Sequence, residues 1–185
     1  MKNLTIANQL TLLRIALVPA FVVLVVYGYL GWALLVFMTA GITDALDGLI
    51  ARMAGQRTSI GAWLDPMADK LLMVTTFIVL TVPGINLTNH VPFWLTVAVI
   101  SRDVVIIGVV AIVNLAVGPR TFKPSVWGKM TTAAYILTAV VVMYFNYLEE
   151  TSWWVDAGIW ISLALTLVSA TDYFLRIRRL INAPG

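Results

Sequence analysis

Four aspartates interrupt apolar sequence at a spacing suited to metal chemistry: Asp44-Ala-Leu-Asp47-Gly48-Leu-Ile-Ala51-Arg52, eight further residues, then Gly61-Ala-Trp-Leu-Asp65-Pro-Met-Ala-Asp69. Residues three and four apart share a helix face. Asp44, Asp47, Gly48, Ala51 and Arg52 therefore line one side of a helix end, and Gly61, Asp65 and Asp69 one side of the start of the next. The short connection makes the two helices antiparallel neighbours whose polar faces can converge. A capping role competes at Asp65, which precedes Pro66. Capping does not account for all four, because an Asp within a span costs roughly 2.5 to 3.5 kcal/mol. Crowded like charges also raise one another's pKa unless a cation offsets them. An all-oxygen set selects a hard ion, Mg2+ or Mn2+ before zinc. Four carboxylates from two helices suit a two-ion site that grips a diphosphate. Gly48 and Gly61 let a substrate approach the backbone closely, and Arg52 can neutralise phosphate charge.

The elements that must position these groups are membrane helices. Of the 185 residues, 61% are apolar and 11% charged, so lipid forms part of the solvent. The net charge of +3 has no dense basic run behind it, which argues against nucleic acid. With no cysteine and a single histidine, His90, thiolate and histidine-cluster metal sites are excluded. On the scale of about 20 apolar residues per span, six spans are expected, near 10 to 29, 31 to 51, 65 to 83, 91 to 117, 127 to 147 and 154 to 175. The first is read as a retained span rather than a cleaved signal. The expected fold is all-α: a polytopic bundle of six transmembrane helices forming a single domain over residues 1–185. Lys2 and Arg14, then Arg52, Arg57 and Lys70, then Arg120, Lys123 and Lys129, then Arg176, Arg178 and Arg179 mark the cytoplasmic side. Both termini and the acidic cluster are therefore expected at the cytoplasmic face of the cell membrane, with Trp32, Trp94, Trp153 and Trp154 at the opposite interface.

The motif resembles, at all eight fixed positions across 26 residues, the pattern D-x2-D-G-x2-A-R-x8-G-x3-D-x3-D of the CDP-alcohol phosphotransferases. That family is similarly short, with six spans and the motif bridging the second and third. The resemblance implies a reaction in which an alcohol hydroxyl attacks the β-phosphorus of a CDP-linked lipid, CDP-diacylglycerol, releasing CMP. It assigns the ions to Asp44, Asp47, Asp65 and Asp69, with Asp69 also the base that takes the hydroxyl proton. It places cytidine and diphosphate contacts at Gly48, Arg52 and Thr58, helped by Asn8 and Thr11 before the first span. For Asn8 and Thr11, helix capping at the interface is an equal alternative. A homodimer is also implied.

A second tier of polar residues bears on the acceptor. Arg102, beside Asp103 well inside the fourth span, should face the bundle interior, either to bind an acceptor phosphate or as a packing ion pair. The run Ser125-Val-Trp-Gly128-Lys129-Met-Thr131-Thr132 resembles the S-x2-G-K-x-[KT]-T segment of the phosphatidylglycerophosphate and cardiolipin synthase branches. Lys129 is read as a phosphate ligand or as a positive-inside anchor, and Arg176, Arg178 and Arg179 as anchors against anionic headgroups. Met130 and Thr131 replace the more usual Lys-Thr pair, and Ala134-Tyr135 stands where Gln is frequent. The favoured acceptor is glycerol 3-phosphate, with phosphatidylglycerol or inositol phosphate as alternatives. From a different class, an ion or metal transporter would also hold intramembrane carboxylates.

Overall fold

In the computed structural model the described residues are 6–54, 59–117 and 125–181, with side chains described for 9–43, 67–68, 70–109, 115 and 125–176. They form six helices and no strand: α1 (Ile6–Val26), α2 (Leu30–Ala54), α3 (Ser59–Thr81), α4 (Phe93–Val117), α5 (Val126–Tyr147) and α6 (Trp153–Ile181). Each expected span has its helix. α1, α5 and α6 contain apolar segments long enough to cross a membrane, at Gln9–Val26, Val126–Tyr147 and Trp153–Arg176. Among the residues with described side chains, α2 and α3 carry the apolar runs Leu30–Thr43 and Lys70–Thr81. Large apolar side chains such as Val23, Leu137 and Leu167 point outward, as a lipid solvent permits.

The chain divides into two compact units. One holds residues up to His90 together with Val142–Thr151, the other Val91–Val141 and Ser152 onward. In the first unit α1 packs against both α2 and α3. Its buried residues are Thr11, Arg14, Val18, Phe21 and Val25, alternately three and four apart, which is one helix face. Phe21 meets Phe37 of α2 with ring centroids 6.1 Å apart. The segment before His90 is pinned to the end of α5 by an amide exchange. The Asn89 N–H donates to Asn146 Oδ1 at 2.7 Å and Asn146 Nδ2 donates to the Asn89 carbonyl at 2.9 Å.

Two helices of this unit end in the same way. At α1, Gly28 takes φ +78°, its N–H donates to the Val25 carbonyl and that of Tyr29 to Leu24. This is the left-handed cap that glycine adopts without strain. At α5 the same bonds run from Glu149 to Asn146 and from Glu150 to Phe145. There the left-handed position, φ +57°, is held by Glu149, at a cost of about 1–3 kcal/mol for a residue with a side chain.

The second unit joins α5 to α6 through hydroxyls. Thr131 Oγ1 donates to the Leu165 carbonyl at 3.0 Å, Tyr135 pairs with Thr166 Oγ1 at 2.5 Å, and Thr138 Oγ1 pairs with Ser162 Oγ at 2.9 Å and reaches the Gly158 carbonyl at 3.0 Å. Gly158, Ser162, Thr166 and Ser169 form a small-residue face on α6, the kind that lets membrane helices approach closely. A Cβ at Gly158 would lie 3.0 Å from Thr138 Oγ1. Gly158→Val should therefore destabilise the protein by about 1–3 kcal/mol. The same substitution should cost less in a Thr138→Ala background, which a double-mutant cycle of thermal unfolding in detergent would measure.

Candidate active site

α2 covers Asp44 to Arg52, α3 covers Gly61 to Asp69, and the motif thus occupies the last turns of one helix and the first turns of the next. The side chains of Asp44, Asp47, Gly48, Arg52, Gly61, Asp65, Asp69 and Asn8 lie outside the described residues, as does Thr58 altogether. Two capping alternatives are nonetheless resolved by the helix bounds. α3 begins at Ser59, so Asp65 stands inside it and is not its N-cap. α1 begins at Ile6, so Thr11 lies beyond the first turn, where its side chain is fully buried. Thr11 is an interior residue.

Arg14 was legible in the sequence only as a topology marker, and its position here is different. Its side chain is 1% exposed, three residues from Thr11 on the face that α1 packs against the two motif helices. A guanidinium enclosed in this way requires compensation from its surroundings, because an uncompensated buried charge costs several kcal/mol. The signal that marks it is the spacing Asn8-x2-Thr11-x2-Arg14, a polar line along one face of an otherwise apolar helix. Among the described residues no group of three or more His, Asp or Glu is close enough to hold a metal.

In the second unit Arg102 is organised by three helices. Its Nη1 donates to Asp103 Oδ1 at 2.8 Å, and its Nη2 donates to Ser169 Oγ of α6 at 3.1 Å and approaches the Gly128 carbonyl of α5 at 3.5 Å. Both expected roles of Arg102 are compatible with this arrangement: it is ion-paired and faces the interior, and it lies beside the residue that precedes Lys129. Lys129 itself is exposed. The Ser125 to Lys129 run also has a local structural explanation. Ser125 Oγ accepts the Gly128 N–H at 2.9 Å, which makes Ser125 the N-cap of α5. A Cβ at Gly128 would stand 3.1 Å from Arg102 Nη2, so a side chain there would press on the guanidinium. Ser169, wholly buried, belongs to no motif and was not visible as a site residue. Of the three terminal arginines, Arg176 bonds Asp172 one turn away at 3.0 Å on an exposed surface.

A motif divided between two helices that share α1 as a partner, with an arginine in the buried face, is the arrangement against which known proteins can be compared. The family model described as CDP-alcohol phosphatidyltransferase matches residues 4–168. The chain belongs to that family. A probable phosphatidylglycerophosphate synthase of Mycobacterium tuberculosis is 35% identical over 185 residues, covering 94% of this chain and 82% of the relative. The CDP-diacylglycerol--glycerol-3-phosphate 3-phosphatidyltransferase of Bacillus subtilis is 30% identical over 185 residues, covering 90% and 92%. The human cardiolipin synthase (CMP-forming) is 35% identical over 165 residues, covering 79% of this chain and 53% of the relative. The chain is thus a transferase of phospholipid biosynthesis and a membrane protein.

The Arg102 network makes its own prediction. Ser169→Ala removes a hydrogen bond to a charged donor and should lower stability by about 1.5–3 kcal/mol. Ser169→Thr, which keeps the hydroxyl, should restore most of the loss in thermal unfolding. An equal loss in both variants would make the contact one of packing alone.

Proposed function

We propose that this protein transfers the phosphatidyl group of CDP-diacylglycerol to glycerol 3-phosphate, giving phosphatidylglycerol phosphate and CMP. The observation that carries the reading is the intact eight-position motif on α2 and α3 within a chain that spans 92% of the Bacillus subtilis enzyme named for that reaction. The human cardiolipin synthase, of which the chain spans 53%, keeps phosphatidylglycerol as the second acceptor to test. Membership of a transferase family argues against an ion transporter.

The family is generally dependent on divalent metal. Asp44, Asp47, Asp65 and Asp69 would hold Mg2+ or Mn2+, two ions in all, since an all-carboxylate set fits a hard cation. Bound ions supply neutralisation of diphosphate charge. Around them Gly48 and Gly61 leave room at the helix backbones for the nucleotide, Arg52 and Thr58 bind phosphate and cytidine, and Asn8 and Thr11 contribute from α1. Arg102 and Lys129 hold the acceptor phosphate, and Asp69 takes the proton from the acceptor hydroxyl. The freed oxygen forms a bond to the β-phosphorus while the bond from that phosphorus to the bridging oxygen breaks, and CMP departs with the electron pair.

The same reading takes residues 1–185 as one domain, since the family match runs through both compact units. It also takes the chain as a homodimer with six spans in the cell membrane. Termini and active site face the cytoplasm, the side marked by the basic loops.

Purified protein should release CMP from CDP-diacylglycerol only with Mg2+ or Mn2+ and an acceptor, and mass spectrometry of the lipid products should identify glycerol 3-phosphate as the acceptor used. CMP release that persists in chelator, or product formed only from phosphatidylglycerol, would refute the reaction or the acceptor respectively. Asp69→Asn should keep CDP-lipid binding and abolish turnover, whereas Asp44→Asn should lose metal and nucleotide together. Equal loss of binding in both would end the separation of roles. Arg102→Lys should raise the KM for glycerol 3-phosphate about tenfold, a loss of about 1.4 kcal/mol, while the KM for CDP-diacylglycerol stays unchanged.

A further inference from the structure

At the end of α2 remote from the motif, the first unit holds an open cavity of about 620 Å3. The lining reaches Leu35 on α2, nine residues before Asp44, so about 13 Å of helix rise separates the cavity from the first aspartate. Its wall carries Tyr29, Trp32, Tyr144 and Tyr147, all exposed, with Glu149 as its charged residue and no Lys, Arg or His among the described lining. The ring of Tyr147 lies directly on Gly31, where a Cβ would stand 2.9 Å from its Cε2, so the glycine sets the width of the wall.

Three observations fix the chemistry of an occupant. Aromatic faces beside a carboxylate attract a cation and repel an anion. The carboxylate is on the one described residue other than glycine with positive φ, at a cap where Gly28, also in the lining, adopts its own positive φ without strain. A strained position occupied by a charged side chain is a mark of use rather than of folding. The depth is given by the helices, because the apolar segments of α1 and α5 end at Val26 and Tyr147, immediately beside the cavity. That is the level of lipid headgroups, where aromatic residues gather.

We propose that this pocket binds the ammonium headgroup of a membrane phospholipid, ethanolamine or choline, between the Tyr29, Trp32, Tyr144 and Tyr147 side chains and the Glu149 carboxylate. The site is separate from the transfer reaction and does not depend on which acceptor is used.

The test uses the full-length protein in detergent, titrated with short-chain phosphatidylethanolamine, phosphatidylcholine, phosphatidylglycerol and free ethanolamine, with thermal unfolding and native mass spectrometry as readouts. The two zwitterionic lipids should bind saturably and raise Tm, and the other two should not. Glu149→Gln and Trp32→Leu should each weaken that binding about tenfold or more while CMP release stays unchanged. Glu149→Gly should raise the Tm of the lipid-free protein, by relieving the cap, and abolish the response to lipid. An equal response to phosphatidylglycerol, or a Glu149→Gln protein that binds the zwitterionic lipids as tightly as the parent, would overturn the proposal. So would a matching shift with free ethanolamine, which would make the site one for soluble amines.

Discussion

A charged side chain in an apolar helix bundle is tolerated only where the bundle supplies its compensation, and the face of α1 is where this constraint acts most strongly. That face places Thr11 and Arg14 in line with Val18, Phe21 and Val25 and packs on both helices of the aspartate motif. The apolar part of the line holds the three helices together through contacts such as Phe21 on Phe37. Its polar part puts a guanidinium inside the unit that carries the carboxylates. Packing and chemistry thus share one stripe of one helix, and the first cannot be altered without disturbing the second.

The same logic recurs at Arg102. Its guanidinium bonds Asp103 on its own helix and Ser169 on another, and it has space to do so because position 128 lacks a side chain. A pattern such as S-x2-G-K can therefore carry structural information as well as catalytic information. Ser125 closes the start of α5, Gly128 admits the arginine, and Lys129 remains outside with its charge available.

Six helices were readable from hydropathy because a span needs a long apolar run, and the family was readable because eight positions at fixed spacing leave little room for chance. The helix limits were less legible at the motif. α3 runs from Ser59, so it covers Gly61 as the motif spacing required, although the apolar run that announces the span begins only near residue 65. Burial of Arg14 could not be read from charge counting, which treats every arginine near a helix end alike. Ser169 and the amide exchange of Asn89 with Asn146 were illegible for another reason: their partners are distant in sequence, and no periodicity records a contact between remote residues.

The hydroxyl ladder between α5 and α6 has a mechanical consequence. Apolar side chains meeting in lipid can slide past one another with little change in free energy, because the tails around them are equally apolar. Thr131, Tyr135 and Thr138 instead meet carbonyl and hydroxyl oxygens at set heights along α6. A corkscrew step of one residue, about 100° for a helix of 3.6 residues per turn, would break all three contacts between the helices at once, leaving Thr131 only its bond to the Trp127 carbonyl of its own helix. The pair is therefore geared, and any displacement it undergoes must carry both helices together as one stiff leaf.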